Sequence, residues 1–78
     1  MPKVIHELTY GEKAVGLTFN PSGDPTVHSI KQRFAALIDA MNNLRQNRPG
    51  ETGRLASIAI TELQTAQMWA VKAATWRD

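Results

Sequence analysis

Cysteine is absent from the 78-residue chain, and so are long uncharged apolar runs and blocks of like charge. Each absence narrows the possibilities. Without cysteine there is no disulfide, no thiol nucleophile and no thiolate-rich zinc site. The longest apolar-rich stretches, such as Leu55 to Ile60, fall far short of the roughly 20 residues that a membrane span requires. Nine Lys and Arg against seven Asp and Glu give a net charge of +2. That charge is scattered rather than concentrated, which suits small anions better than a DNA or RNA polymer. No charged-then-apolar leader with a small-residue cleavage site opens the sequence, so a cytoplasmic location is expected.

The parts of a catalytic centre are also missing. The sequence has no Gly-x-Ser-x-Gly elbow, no His-Glu-x-x-His and no phosphate-cradling Gly-rich loop. Its two histidines, His6 and His28, stand alone. His28 follows an apolar seam position and reads as a surface residue, and His6 lies in a terminal segment expected to be flexible. Glu62 sits between Thr61 and Thr65 on an apolar helix. It is expected to be half-buried there, more readily as an interhelical hydrogen-bond partner than as an acid catalyst. The reading is therefore a non-enzyme with neither metal nor cofactor.

What the sequence does contain is helical periodicity. Val27, Ile30, Phe34, Leu37, Met41 and Leu44 recur at alternating intervals of three and four, which predicts one long helix over residues 24–47. Asp24 is a suitable N-cap and Pro25 a suitable first helical residue, because the first-turn N–H that proline lacks has no helical partner anyway. Asn47, Arg48, Pro49 and Gly50 predict a turn, and a second helix follows over residues 52–77, with Thr52 as its cap. A connection this short favours antiparallel neighbours. The expected fold is all-α, a single domain built on a two-helix hairpin. Residues 1–23 lead into it: Thr9 and Glu12 have capping-box spacing, Gly16 can end a short helix, and residues 17–23 read as an extended arm closing in a turn.

The second helix is apolar on two sides. Leu55, Ile58, Ala59, Ala66, Trp69, Ala73 and Trp76 occupy one, and Ala56, Ile60, Leu63, Ala70, Val71 and Ala74 the other. One partner helix covers only one of them. A chain this small needs reinforcement, and with disulfides excluded a homo-oligomer is expected, its many alanines allowing close approach.

One polar constellation stands out. Phe19-Asn20-Pro21-Ser22-Gly23-Asp24 precedes the first long helix, Lys31 follows on it, and Tyr10 and Lys13 come before. An aromatic ring can stack on a base, an amide can pair with its edge and a lysine can meet a phosphate. The plain alternative is that Phe19 and Tyr10 pin the arm while Lys31 is a solvated helix residue. Trp69 and Trp76 share one face seven residues apart, which suits packing or a subunit interface, with Lys72 and Arg77 nearby.

Two blocks carry a resemblance. Ala59-Ile60-Thr61-Glu62-Leu63, then Ala66 and Met68-Trp69-Ala70, form one; Phe19 to Pro25 with Ile30-Lys31 form the other. Over roughly residues 19–77 their order and spacing resemble the hairpin domain of phage anti-CBASS and anti-Thoeris sponge proteins. The resemblance implies a homo-oligomer, typically a hexamer, that sequesters cyclic dinucleotides such as cGAMP in the host bacterium without cleaving them. In the family an aromatic residue before the turn stacks on a base and a basic residue of the first long helix meets the phosphates. Those roles fall here on Phe19 and Lys31, with Asn20 and Pro21 in the turn and Tyr10 offering the hydroxyl that Phe19 lacks. A separate cyclic-trinucleotide site near the subunit axis uses an arginine late in the second helix. The resemblance implies Arg77 for it, one position out of register, together with Thr61. A sponge for cyclic ADP-ribose isomers, a ligand-free structural oligomer and a hydrolase using Glu62 or His28 remain as alternatives.

Overall fold

The computed structural model describes residues 7–78, so the expectation for His6 lies outside the described residues. Three helices follow one another: α1 (Tyr10–Ala14), α2 (Pro25–Asn47) and α3 (Glu51–Thr75). α2 packs on α3 as a helical hairpin, and α1 packs on α2.

Five residues are too few to hold a helix by propensity, and α1 persists because both ends and one side are tied down. At its start Glu12 N–H donates to Thr9 Oγ1 (3.1 Å) and Thr9 N–H to Glu12 Oε1 (2.8 Å), completing the capping box. At its end Gly16 turns left-handed at φ 63°. There Leu17 N–H reaches Glu12 O and Gly16 N–H reaches Lys13 O, the pair of bonds of a Schellman motif. On its side Gly11 is buried against α2 and donates to Asp39 Oδ1 at 2.7 Å. Backbone meets backbone so closely here that a Cβ on residue 11 would stand 2.1 Å from Ala35 O.

Residues 17–23 are not the extended arm that their alternation predicts. Phe19 N–H closes on Gly16 O and Gly23 N–H on Asn20 O, both at 2.9 Å, so the chain makes consecutive turns. Leu17 is drawn against the core as the residue after the Schellman glycine, while Thr18 and Phe19 are exposed. Turn geometry, not a strand's two-residue repeat, produces the alternation.

α2 begins as expected, with Asp24 Oδ1 accepting from Thr26 N–H (2.8 Å) and Val27 N–H (3.5 Å) and Pro25 at the first position. Its buried line is displaced from the expected seam. Val27, Lys31, Ala35 and Ile38 are inside, Phe34 and Met41 are half-buried, and Leu37 is 52% exposed. α1 and α3 both pack on α2, with Val15 and Ile60 meeting Ala35 and Ile38 in one cluster, so burial centres on that line and Leu37 falls outside it.

α3 starts one residue before the expected position, at Glu51. Its N-cap is Gly50 at φ 90° rather than Thr52, because a left-handed glycine lets the chain reverse direct from the turn into helix. It ends at Thr75, with Trp76 already extended. Ala56, Ile60 and Gln67 are buried and Leu63, Ala70, Val71 and Ala74 half-buried, while Arg45 Nη1 donates to Ser57 Oγ (3.2 Å) near the turn. The core is small: Val15, Ala35, Ile38 and Ile60, with Leu17, Phe34, Met41 and Leu63 around them. The Cα trace is only 12 Å deep in its thinnest direction, a single layer of helices where domains ordinarily stack two. One side of α3 accordingly lies open: Leu55, Ile58, Met68, Trp69 and Trp76 are 48–65% exposed.

Candidate functional site

The turns between α1 and α2 display Phe19. Phe19 is 72% exposed, while its backbone is fixed from below. Lys31, only 6% exposed, donates from Nζ to Gly16 O at 3.0 Å and to Phe19 O more closely still. The ammonium also lies 5.5 Å from the centroid of the Phe19 ring, within cation–π range. Lys31 is therefore not a solvated helix residue. It is a cation under the turn, and its two carbonyl acceptors leave one of its three N–H groups for a further acceptor. No ion pair to it occurs among the described residues. An anion brought to this point would meet a charge that the protein has already desolvated.

Asn20 closes the next turn. Its Nδ2 donates to Asp24 O (2.8 Å) and its Oδ1 accepts from Asp24 N–H (3.2 Å), with Pro21 exposed at the turn's second position. The amide that the sequence suggests for reading a base edge thus already bridges the turn with one donor and one acceptor. Asp24, as N-cap, occupies the first N–H groups of α2, so the helix start is not an open anion site.

Beside this turn is an open cleft of about 650 Å³ lined by Leu8, Leu17, Thr18, Asn20, Gly23, Pro25 and His28. That volume falls within the range of roughly 300–1,000 Å³ usual for small-molecule sites. His28 belongs to the cleft, which its place one residue after a seam position does not announce. A shift of the buried line towards Lys31 is what turns it there.

The other expected residues are elsewhere. Tyr10 lies under the Arg45 guanidinium, 5.1 Å from its ring centroid, at the far half of α2 from Lys31. The positions of Lys31 and Arg45 are separated by roughly 20 Å of helix, so Tyr10 is joined to α2 by Arg45 rather than to the Phe19 turn. Thr61 is exposed in the middle of α3, its hydroxyl donating to Ser57 O (3.3 Å). Arg77 follows the end of α3 instead of lying late within it, and donates to Trp76 O (3.2 Å). Roughly 20 Å of α3 separates Thr61 from the helix end. Within one protomer these two residues do not form a site. Glu62, expected half-buried, is exposed, since it points away from the side of α3 that meets α2. Lys72 lies over both Trp69 (5.3 Å) and Trp76 (5.8 Å), a cation beside two exposed rings.

Among the described residues no group of three or more His, Asp or Glu is placed to hold a metal ion, and no helix is long and apolar enough to cross a membrane. Comparison with known proteins gives one match. The family model described as the Acb2/Tad1 hairpin domain matches residues 12–75. No curated protein and no solved structure matches.

Proposed function

We propose that this chain, which belongs to the Acb2/Tad1 hairpin-domain family, is a phage sponge that binds and sequesters cyclic oligonucleotide messengers and leaves them intact. In the infected bacterium's cytoplasm this would withhold the CBASS signal from its effectors. The family match across residues 12–75 carries the reading. The site geometry supports the finer assignment to cyclic dinucleotides such as cGAMP: an exposed Phe19 face offers stacking, and the remaining Lys31 donor beneath it offers a phosphate contact. Stacking on an aromatic side chain contributes about 1–3 kcal/mol per base.

The sponge works as a homo-oligomer, with a hexamer as the assembly proposed. A one-layer protomer with Leu55, Ile58, Met68, Trp69 and Trp76 uncovered presents the kind of contiguous apolar surface that subunit contacts bury. Assembly would also let Thr61 and Arg77 of different protomers approach a common axis, where a cyclic trinucleotide would bind. Trp69 is 65% exposed in the protomer, so Trp69→Asp should leave the protomer's core intact, losing there only the Lys72 contact, and shift the molecular mass in solution from oligomer towards monomer. Sedimentation at matched concentrations reads this, and a variant of unchanged mass would remove Trp69 from the interface.

Incubation with cyclic dinucleotides, cyclic trinucleotides and cyclic ADP-ribose isomers, followed by heat denaturation and mass spectrometry of the supernatant, tests the function. Intact cyclic dinucleotide is the expected release. An intact cyclic ADP-ribose isomer alone would move the protein to the Thoeris signal. A linear product would mean an enzyme, and empty supernatants a structural oligomer.

A further inference from the structure

We infer that His28 is a ligand contact of the cleft, its imidazole meeting a phosphodiester of the captured cyclic nucleotide, so that capture tightens as the imidazole takes up a proton. The inference rests on the sponge reading and adds to it a residue and a pH dependence.

The lining of the cleft selects His28. Leu8, Leu17, Gly23 and Pro25 offer apolar walls, and the Asn20 amide is bonded to Asp24 on both its atoms. Of the seven described lining residues, His28 is the one histidine, the residue type whose ordinary charge change falls between pH 5 and 8. It is exposed on α2 and its backbone is fixed by a bond from its N–H to Asp24 O (3.0 Å), so the first turn of the helix holds it in place. His28 and Lys31 are three residues apart, which puts their Cβ atoms about 5–6 Å from each other on one face of α2. One face of α2 thus carries an imidazole beside the ammonium that holds the Phe19 turn.

Among the described residues the charged surroundings of His28 are few. On α2 they are Lys31 and, one turn earlier, Asp24, whose carboxylate already accepts from Thr26 and Val27 N–H. Among the described residues, the preceding turns and the segment before α1 contribute Leu8, Leu17, Thr18 and Asn20 to the cleft, none of them ionisable, Glu7 next to Leu8 is exposed, and α3 contributes nothing to the lining. A phosphodiester stays anionic throughout this range. The sign follows: a ligand that favours the protonated imidazole binds more tightly as pH falls.

The test is titration of the full-length protein with 3′,3′-cGAMP by calorimetry at pH 6 and pH 8, at equal ionic strength, for the parent, His28→Gln and His6→Gln. A hydrogen bond gaining full charge predicts about tenfold tighter binding at pH 6 for the parent. His28→Gln should bind equally at both values and His6→Gln should behave as the parent. Because His28 is exposed, thermal melts of His28→Gln should match the parent's, which separates lost contact from lost fold. A parent with no pH dependence, or a His28→Gln variant that keeps it, overturns the inference and leaves the sponge reading standing. No binding by the parent at either pH overturns the sponge reading for this ligand and the inference with it.

Discussion

Gly11→Ala should lower the midpoint of thermal unfolding by roughly 10–20 °C and release α1 from α2. Two effects oppose each other at this position. Alanine favours helix over glycine by about 1 kcal/mol, which by itself would stabilise α1. Against that, the new methyl would stand 2.1 Å from Ala35 O and 2.9 Å from Asp39 Oδ1, and neither α2's backbone nor a carboxylate already bonded to Gly11 N–H can yield without losing that bond. Overpacking costs typically 1–3 kcal/mol, and a hydrogen bond to a charged group is worth about 1.5–3. Their sum exceeds the propensity gain. In a domain of this size each kcal/mol moves the midpoint by roughly 4–8 °C. Calorimetry measures the change, and protection of the Gly11 and Val15 amides from hydrogen exchange reports α1 directly. An alanine variant as stable as the parent, with those amides still protected, would show that α1 can shift at no cost.

Lys31→Ala should weaken both fold and capture. Truncation leaves a void under the turn and deprives Gly16 O and Phe19 O of their donor, at about 2–4 kcal/mol. It should also reduce cyclic-dinucleotide affinity about 100-fold, since the phosphate loses its cation and Phe19 the backbone anchor that aims it. Phe19→Ala supplies the contrast. With Phe19 72% exposed, removal of its ring should leave the melting temperature unchanged and still cost roughly ten- to 100-fold in affinity through lost stacking. If Lys31→Ala bound with parental affinity well below its melting temperature, neither the contact nor the anchoring would matter to the ligand.

The double role of Lys31 shows where sequence reasoning stops. Periodicity places Lys31 on the first long helix, and cap chemistry at Thr9, Asp24 and Gly16 locates the ends of α1 and the start of α2 to within a residue. Those signals are local, and each residue carries its own. Which side of α2 faces inward is decided by two neighbours at once, and nothing in the spacing of Val27 to Leu44 says that α1 docks on α2 as well as α3. Hence Leu37 is outside, Lys31 is inside and His28 lines the cleft. Gly11 passes unnoticed for a related reason: a glycine in a five-residue helix looks like weak helix-forming material until Ala35 O is seen against it. One signal was available, since a glycine inside a helix with a complete capping box is costly unless something must come close. Tyr10 and Arg77 were legible as residue types but not as places. Arg45 lies over the ring of one, and the other follows a helix that stops at Thr75.

A protein one helix deep has little interior of its own to draw on. In the proposed oligomer its resistance to heat would become a property of how many copies share a volume, rising with concentration by mass action as subunits cover one another's open side. For a protein proposed to sequester its ligand without turning it over, the two demands coincide: the abundance that supplies enough sites is the abundance that keeps each copy folded.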